Sequence, residues 1–397
     1  MAKTRIGIWL IGAKGGVAAT ATLGLMALKR GEAGAAGLVS QLPRFAKLEL
    51  VDWSDLVVGG HEIRQIPLAE EAARLATEAR IVDPDLVYRC RAELQQIDGR
   101  LRPGTLRNVG PAIAALADAD IPADATPRRT VDRLRGDLIE FAQAENLEHV
   151  VVVNVSSTEP AVETGSIGRT WAEVESQLSE AKGCPLPASS LYAIAALEAG
   201  CSYINFTPSL GSAPAAIDEL ARLRGTRHMG CDGKTGETLL KSVLAPMFAQ
   251  RNFDVMSWVG HNLFGNMDGQ ILDNPVNKQS KVASKNRLLG EILGYQPQTL
   301  VSIEYIQSLG DWKTAWDHVH FRGFLGTPMT FQFIWQGCDS LLAAPLVLDL
   351  VRFTELARRR GDTGRMTFLA SFFKSPYGVD EHGFARQFQM LEAWAEK

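Results

Sequence analysis

The chain begins with a short apolar stretch, Ile6–Ile11, which runs directly into the glycine-rich segment GAKGGVAA and then into a helical pattern through Leu28. A strand, a tight glycine turn and a helix are what a dinucleotide-binding loop requires, because glycines let the backbone approach a pyrophosphate at the helix amino terminus. The residues that we expect to contact such a cofactor are Gly12, Gly15, Gly16 and Val17. A tight turn without a ligand is the open alternative. An ATPase-type phosphate loop is rejected, since Ala18 and Ala19 occupy the place of its Lys-Ser/Thr pair.

The next part of the chain bears on the choice of cofactor. Residues 36–40 are predicted to form the second strand, and in NAD-binding folds an acidic residue at the end of that strand holds the ribose. Ser40 and Gln41 stand there instead, so this position does not identify the cofactor. Residues 57–63, with the sequence VVGGHEI, are predicted to form a second glycine turn. Its Glu62 either faces the nucleotide or is a carboxylate at a helix start.

A run of β-branched residues, HVVVVN at residues 149–154, indicates a strand buried on both faces of a parallel sheet. Because ligands bind beyond the carboxyl ends of such strands, Ser156 and Thr158 are placed to hydrogen-bond a nucleotide. Capping of the next element is the alternative role for these two hydroxyl groups. An amphipathic helix is predicted at residues 188–199, so this half of the chain alternates strands and helices as an α/β fold does.

Polar side chains are concentrated between residues 231 and 285. Thr235 is a predicted cap of a helix over residues 236–250, whose free amides would favour an anion. Strands predicted at residues 254–260, 300–306 and 330–335 indicate an open, partly antiparallel sheet that is suited to subunit contact. His318 and His320 share one face of a strand; we favour a packed strand over a metal site, because no third ligand is near.

The segment SKVASK places Lys281 and Lys285 four residues apart, and therefore on one face if the segment is helical. Like charges at this spacing cost a few tenths of a kcal/mol, which a bound anion would turn into a gain. A solvated helix face is the alternative interpretation.

Composition limits the classes of partner. The chain has 397 residues, 46% of them hydrophobic, and a net charge of −4, which is typical of a soluble protein of about two domains. No global basic field indicates nucleic acid or an anionic membrane. The five cysteines are scattered, and the sequence shows neither a signal peptide nor an apolar run of membrane-spanning length. We expect a cytoplasmic protein without a membrane partner.

Six motifs in a fixed order carry a resemblance to a known family. They are DGKTGET, NMDG, SKVASK, GDWK at residues 310–313, CDSLLAAPL at residues 338–346 and FFKSP at residues 372–376. This series resembles the myo-inositol-1-phosphate synthase family in its short archaeal and bacterial form, over nearly the whole chain. The resemblance implies a Rossmann-like NAD-binding domain formed by residues 1–205 and 340–397. It also implies an α+β catalytic and oligomerisation domain with a mixed open sheet at residues 206–339, and a homotetramer.

The resemblance also implies an activity. Members of the family convert glucose 6-phosphate into 1D-myo-inositol 3-phosphate with NAD and no net redox change, a step of inositol and phospholipid biosynthesis. They oxidise carbon 5, remove a proton from carbon 6, join carbon 6 to carbon 1 by an aldol reaction and reduce the product with the same NADH. Negative charge develops on an oxygen in each step, and ammonium groups held in a dry pocket stabilise such charge.

Site residues follow from the matching motifs. The catalytic set that the resemblance implies is Lys281, Lys285, Lys313, Lys374, Asp232 and Asp339. Lys281 and Lys313 are expected at the oxygen of carbon 5, and Lys285 and Lys374 at the oxygen of carbon 1 and the phosphate. The cofactor is expected to contact Asp232, Asn266 and Asp268 besides the glycine turn, Glu62, Ser156 and Thr158. The residues expected to bind the substrate are Thr235, Asn262, Ser280 and Ser284.

This chain departs from the family pattern at two places. Val17 and Ala18 follow the first glycine turn where asparagines are usual, and Met267 replaces an asparagine in NLFGNMDG. The second change leaves the identity of a bound cation open between a divalent metal and ammonium or another monovalent ion. Three other functions stay open: a related cyclitol-phosphate synthase, an NAD-dependent sugar-phosphate dehydrogenase, and a silent NAD-binding regulator that would have lost a lysine or an aspartate.

Overall fold

The structure is a computed structural model that describes residues 5–118, 120–180, 183–265 and 289–397. Its strands are, in chain order, β1 (Ile6–Ile11), β2 (Leu56–Glu62), β3 (Leu101–Pro103), β4 (His149–Asn154), β5 (Ser202–Asn205), β6 (Arg227–Gly230), β7 (Asp254–Phe264), β8 (Gln298–Tyr305), β9 (Trp312–Arg322), β10 (Pro328–Cys338) and β11 (Gly364–Arg365). Its helices include, in chain order, α1 (Gly16–Lys29), α2 (Leu68–Thr77), α3 (Pro84–Arg89), α4 (Arg91–Asp98), α5 (Pro111–Ala114), α6 (Pro127–Ala144), α7 (Trp171–Ser179), α8 (Ala188–Glu198), α9 (Ala215–Leu223), α10 (Gly236–Gln250), α11 (Asp339–Arg359) and α12 (Phe384–Ala395).

The larger sheet has seven parallel strands in the order β11-β6-β5-β4-β1-β2-β3. Strand β1 lies between β2 and β4, so the order of the strands reverses there. This is the strand order of a Rossmann fold, in which a dinucleotide lies across the crevice beyond the carboxyl ends of the central strands. The Rossmann-like α/β prediction is confirmed, and the crevice is where a ligand is expected.

The smaller sheet has four strands in the order β10-β9-β7-β8. Neighbouring strands are antiparallel except for the parallel pair β7 and β8. Helix α10 covers one face, where Phe248 packs in a buried cluster with Trp258 and Val319. The predicted mixed open sheet is confirmed.

Residues 36–40 do not form the second strand, so that prediction is wrong. A single 3-10 turn, Val39–Gln41, occupies this stretch. Its backbone amides are used elsewhere: Val39 N and Ser40 N donate to the carboxylate of Asp349 at 2.6 and 3.1 Å, and Arg352 Nη1 donates to Ser40 Oγ at 2.6 Å. Helix α11 therefore holds this stretch off the sheet.

The second strand is β2, at residues that were predicted to be a glycine turn. Gly59 and Gly60 lie inside β2. Both positions need glycine, because the neighbouring atoms leave no room for a side chain. A Cβ atom on Gly60 would lie 2.3 Å from the carbonyl oxygen of Leu10, and one on Gly59 would lie 2.9 Å from the ring of Phe141. The glycines thus permit close packing of β2, and Glu62 is the last residue of that strand.

Helix α8 was predicted to be amphipathic, but it is buried on every side. Its residues from Ala188 to Leu197 are all buried, because α6, α9 and β5 surround it. A helix that is enclosed in this way has no polar face to show in its sequence.

The chain returns to the larger sheet after β10. Helix α11 packs against α1, and β11 adds to the edge of the sheet beside β6. Strand β6 lies beyond residue 205, so the larger sheet continues past that point, and the domain division at residues 205 and 340 stays a prediction. Trp312 Nε1, at the start of β9 in the smaller sheet, donates to the carbonyl oxygen of Ala79, which follows α2, at 3.0 Å. This hydrogen bond joins the smaller sheet to the part of the chain that forms the larger one. Within the described ranges, the helices are too short or too polar to cross a bilayer.

The close packing at Gly60 gives a testable expectation for stability. Gly60→Ala should lower the free energy of unfolding by about 3 kcal/mol, because the backbone oxygen of Leu10 has no room to move. Gly24→Ala, in α1, has no heavy atom within 4 Å of the added methyl group and should raise it by about 0.5 kcal/mol. Urea unfolding followed by circular dichroism measures both values. Equal effects of the two substitutions would contradict this packing.

Candidate active site

The glycine turn after β1 lies against the turn after β4. Gly12 has a φ of +78°, and a Cβ atom there would lie 2.8 Å from the Cα atom of Ser156. Gly15 N donates to the carbonyl oxygen of Gly12 at 2.9 Å, and Gly16 begins α1. The turn is therefore tight and has glycines at positions 12, 15 and 16, as close approach of a pyrophosphate to a helix amino terminus requires.

Glu62 stands beside that turn. Its carboxylate accepts from Lys14 N at 2.7 Å, Ile63 N at 2.8 Å and Arg64 N at 3.2 Å, and it lines the crevice. The end of the strand next to β1 is where a Rossmann fold places the acidic residue that meets the ribose. Glu62 was a predicted cofactor contact, but the ribose-binding position was expected at residues 40 and 41, because the second strand was misplaced.

The two hydroxyl residues after β4 differ in position. Ser156 lines the crevice, and its backbone N–H and Oγ both donate to Asn154 Oδ1, at 3.2 and 2.7 Å. Thr158 is not among the residues that line the crevice in the described structure.

Lys374 and Asp232, 142 residues apart, form an ion pair with Nζ 2.9 Å from Oδ1. Two backbone segments pair side by side to bring them together: Cys231 and Ser375 exchange N–H to carbonyl bonds of 2.9 and 3.2 Å, and Lys374 N donates to the Asp232 carbonyl at 2.7 Å. Asp232 is held at a φ of +62°. The backbone pairing therefore positions Lys374 and Asp232 next to each other independently of their side-chain contact.

The charges around Lys374 keep it an ammonium. Burial alone would lower the pKa of Lys374, but the carboxylates of Asp232, Asp339 and Glu237 outweigh burial and raise that pKa above its ordinary value. Lys234 shows the opposite balance, since burial and the positive charge of Lys374 lower its pKa to about 7. Lys234 bonds to Gln387 on α12 and does not line the crevice.

A second lysine and carboxylate pair comes from the smaller sheet and α11. Lys313 Nζ on β9 lies 3.5 Å from Asp339 Oδ2 and 5.3 Å from the ring centroid of Phe264. Asp339 is the first residue of α11, where the helix dipole favours a carboxylate. The aromatic ring and the carboxylate together hold the ammonium at the crevice.

One continuous crevice brings most of the described candidates together. The candidates that line it are Gly12, Gly15, Gly16, Val17, Glu62, Ser156, Thr235, Lys313, Asp339 and Lys374. Asp232 does not line the crevice itself but is paired with Lys374, which does. Asn262 is fully buried, with Nδ2 3.4 Å from the carbonyl oxygen of Ser302. The remaining candidates lie outside the described residues: Asn266, Asp268, Ser280, Lys281, Ser284 and Lys285.

Several residues of the crevice were missed by sequence reasoning. They are Arg64, Arg74, Thr105, Glu159, Tyr192 and Asp311. Glu159 directly follows the Ser156 to Thr158 turn, and Asp311 belongs to the GDWK motif, so both had a positional signal. Burial raises the pKa of Glu159 to about 7. Arg64 and Arg74 follow β2, so their position at the crevice could not be predicted while the second strand was placed elsewhere.

The described residues contain no group of three His, Cys, Asp or Glu side chains arranged to hold a metal ion. His318 lies on β9 with its ring centroid 6.1 Å from that of Trp316. The cation predicted beside Asn266 and Asp268 concerns residues outside this description.

A parallel sheet of Rossmann order, a glycine turn and two lysine–carboxylate pairs on one crevice define a nucleotide-dependent enzyme of the Rossmann-like class. A family model described as NAD_binding_5, myo-inositol-1-phosphate synthase, matches residues 6–396. The chain belongs to that NAD-binding family, as its motifs had indicated.

Relatives support the assignment over most of the chain. Inositol-3-phosphate synthase 1 of Bacteroides thetaiotaomicron is 31% identical over 399 aligned residues, which cover 95% of this chain and 91% of that protein. The enzyme of the same name from Rattus norvegicus is 31% identical over 80% of this chain, but only 57% of its own length is covered.

Solved structures support the fold. Inositol-3-phosphate synthase from Caenorhabditis elegans superposes with a TM-score of 0.87 at 24% identity, over 99% of this chain and 85% of that one. A myo-inositol-1-phosphate synthase-related protein from Thermotoga maritima superposes with a TM-score of 0.80 at 23% identity, over 99% and 98%.

The Lys374–Asp232 pair predicts a difference between buried and exposed ion pairs. Asp232→Ala should lower the free energy of unfolding at pH 7 by about 3 kcal/mol, because it leaves a largely buried ammonium without its partner. Asp254→Ala breaks the exposed pair with Arg322 and should cost at most about 0.5 kcal/mol. Urea denaturation of the three proteins measures this. A loss for Asp232→Ala no larger than that for Asp254→Ala would contradict the burial of the pair.

Proposed function

We propose that this chain is an inositol-3-phosphate synthase that converts glucose 6-phosphate into 1D-myo-inositol 3-phosphate with NAD and without net redox change. The observation that carries the proposal is the meeting of the glycine turn with Lys313–Asp339 and Lys374–Asp232 on one crevice. A simple hydride transfer needs one acid–base group, whereas oxidation, enolisation and aldol closure each develop charge on an oxygen.

The crevice fits NAD. The glycine turn at Gly12 and Gly15, the start of α1 at Gly16 and the carboxylate of Glu62 suit the pyrophosphate and the adenosine ribose. NAD, when bound, supplies the hydride acceptor for the first step and the hydride donor for the last. Ser156, beyond the end of β4, is placed to bind the other half of the cofactor.

Lys374 would stabilise an anionic oxygen of the substrate. Its ammonium is held at 2.9 Å by Asp232, so it is already oriented before the substrate arrives and needs no rearrangement of solvent. In the proposed assignment it faces the oxygen of carbon 1 or the phosphate. Thr235 and the amino end of α10 lie on the same wall and add hydroxyl and amide donors for phosphate.

Lys313 would act at the oxygen of carbon 5. An ammonium there stabilises the alkoxide and enolate forms of that oxygen, and Asp339, 3.5 Å from Lys313 Nζ, is within relay distance to hold or pass its proton. Lys281 and Lys285 are proposed from the SKVASK motif to complete this set, together with Ser280 and Ser284. A cation beside Asn266 and Asp268 is part of the same proposal.

We propose that the chain assembles into a homotetramer through the smaller sheet. The cytoplasm is its proposed location. The outer strands of the smaller sheet expose apolar side chains: Ile334 on β10 is 71% exposed and Leu300 on β8 is 54% exposed. A second copy of the chain would cover them.

Anaerobic incubation of the purified protein with glucose 6-phosphate and catalytic NAD tests the function. We expect phosphorus and carbon NMR to show inositol phosphate accumulating in large excess over NAD, while absorbance at the NADH band stays flat. NADH formed in step with sugar consumed would identify a dehydrogenase instead. Unchanged sugar, with NAD bound, would contradict the synthase function and favour a regulator.

Variants locate the reaction within the crevice. Lys313→Met and Lys374→Met should each lower the rate of inositol phosphate formation by about 10²- to 10³-fold, the effect of removing one charge-stabilising donor. Lys47→Met changes an exposed lysine away from the crevice and serves as the matched control. Wild-type activity in both crevice variants would contradict the proposal that the reaction takes place at Lys313 and Lys374.

A further inference from the structure

Glu159 is a buried carboxyl group that lines the crevice. It is 7% exposed and lies in the turn after β4, three residues beyond Ser156. Its oxygens accept from Ser189 N at 2.8 Å and from Ser189 Oγ, and its own N–H donates to Ser209 Oγ at 3.0 Å. Glu159 therefore caps the amino terminus of α8 from a neighbouring loop.

Among the residues that the structure describes, none with a positive side chain shifts the pKa of Glu159. Burial raises its pKa to about 7, while the hydrogen bonds from Ser189 and Ser209 lower it; no charged group contributes among the described residues. The titratable groups that face it in the described structure are the phenols of Tyr192 on α8 and Tyr203 on β5, and burial raises the pKa of both, so they stay uncharged near neutral pH. Glu159 thus changes charge near neutral pH while its neighbours do not.

The position of Glu159 in the fold indicates which part of a dinucleotide it faces. The strands on the β2 side of β1 form one mononucleotide half of a Rossmann fold, and β4 and β5 begin the other half. With the adenosine at Glu62 on β2, the turn after β4 lies on the nicotinamide side. The oxidised nicotinamide ring is positively charged and the reduced ring is neutral, so a carboxylate in this half distinguishes the two.

We infer that Glu159 is a cofactor-discriminating residue, whose carboxylate favours the oxidised over the reduced dinucleotide and whose protonation removes that preference. The inference rests on the NAD site of the proposed function. By linkage, the oxidised cofactor binds with release of a proton near neutral pH, and the reduced cofactor does not. Because the proposed reaction needs NADH to stay bound until its hydride returns, the protonated form of Glu159 is the one that suits the middle of the cycle.

The test compares the affinities for NAD and NADH between pH 6 and pH 8, by NADH fluorescence and by competition with NAD. In the wild-type protein the ratio of the dissociation constant of NADH to that of NAD should rise about 3- to 10-fold over this range, the effect of one charge across roughly 10 Å of protein. In Glu159→Gln, which keeps hydrogen-bonding groups toward Ser189, the ratio should not vary with pH. Glu163→Gln, an exposed carboxyl group nearby in sequence, should behave as wild type.

A second measurement covers the case in which Glu159→Gln does not fold. Calorimetry of the wild-type protein in buffers of different ionisation enthalpy counts the protons released at pH 7, and more should be released with NAD than with NADH. A ratio that does not change with pH in the wild type, or that changes equally in Glu159→Gln, overturns the inference, as does equal proton release. Binding without synthase activity would contradict the proposed reaction and leave the inference standing; absence of binding would overturn both.

Discussion

The crevice depends on the backbone pairing that holds residues 231–234 against residues 372–375. This pairing joins the middle of the chain to its carboxyl-terminal part and places Lys374 against Asp232. A largely buried ammonium is costly without a carboxylate, and a buried carboxylate is costly without a cation, so neither segment is stable in its place alone. The same pairing sets the amino end of α10, which follows directly, and with it the wall that carries Thr235 and Thr238.

The two sheets contribute different chemistry to one space. The larger sheet ends in the glycine turn, Glu62 and the turn after β4, all suited to a dinucleotide. The smaller sheet and α11 bring Lys313 and Asp339 to the same crevice. Trp312, next to Lys313, donates to the carbonyl oxygen of Ala79 and so ties β9 to the segment that follows α2. Oxidation and ring closure at one set of carbons require this proximity.

Local patterns predicted the elements whose cause is local. The strand, turn and helix at the amino terminus, the valine strand β4 and helix α10 follow from periodicity and glycine placement, and all are present. The second strand was misplaced because contacts distant in sequence determine it. The amides of residues 39 and 40 donate to Asp349 and are not available to a sheet. Gly59 and Gly60 pack closely against Phe141 and Leu10, as residues of a buried strand do. The members of the two lysine–carboxylate pairs were predicted from motifs that resemble a family, but their pairing was not, since no spacing relates residue 232 to residue 374. The place of Glu159 directly after the turn that follows β4 was a signal in the sequence, but its burial depends on α8, and burial by a distant helix leaves no mark on the local sequence.

In the proposed reaction a hydride leaves carbon 5 of the sugar and returns to it, and an isotope at carbon 5 tests this most directly. Glucose 6-phosphate carrying deuterium at carbon 5 would be converted with catalytic, unlabelled NAD, and the product analysed by mass spectrometry and NMR. A redox-neutral synthase predicts inositol phosphate that keeps one deuterium at the carbon from which it left. Deuterium accumulating in free NADH, or a cyclised product that has lost it to solvent, would contradict the account.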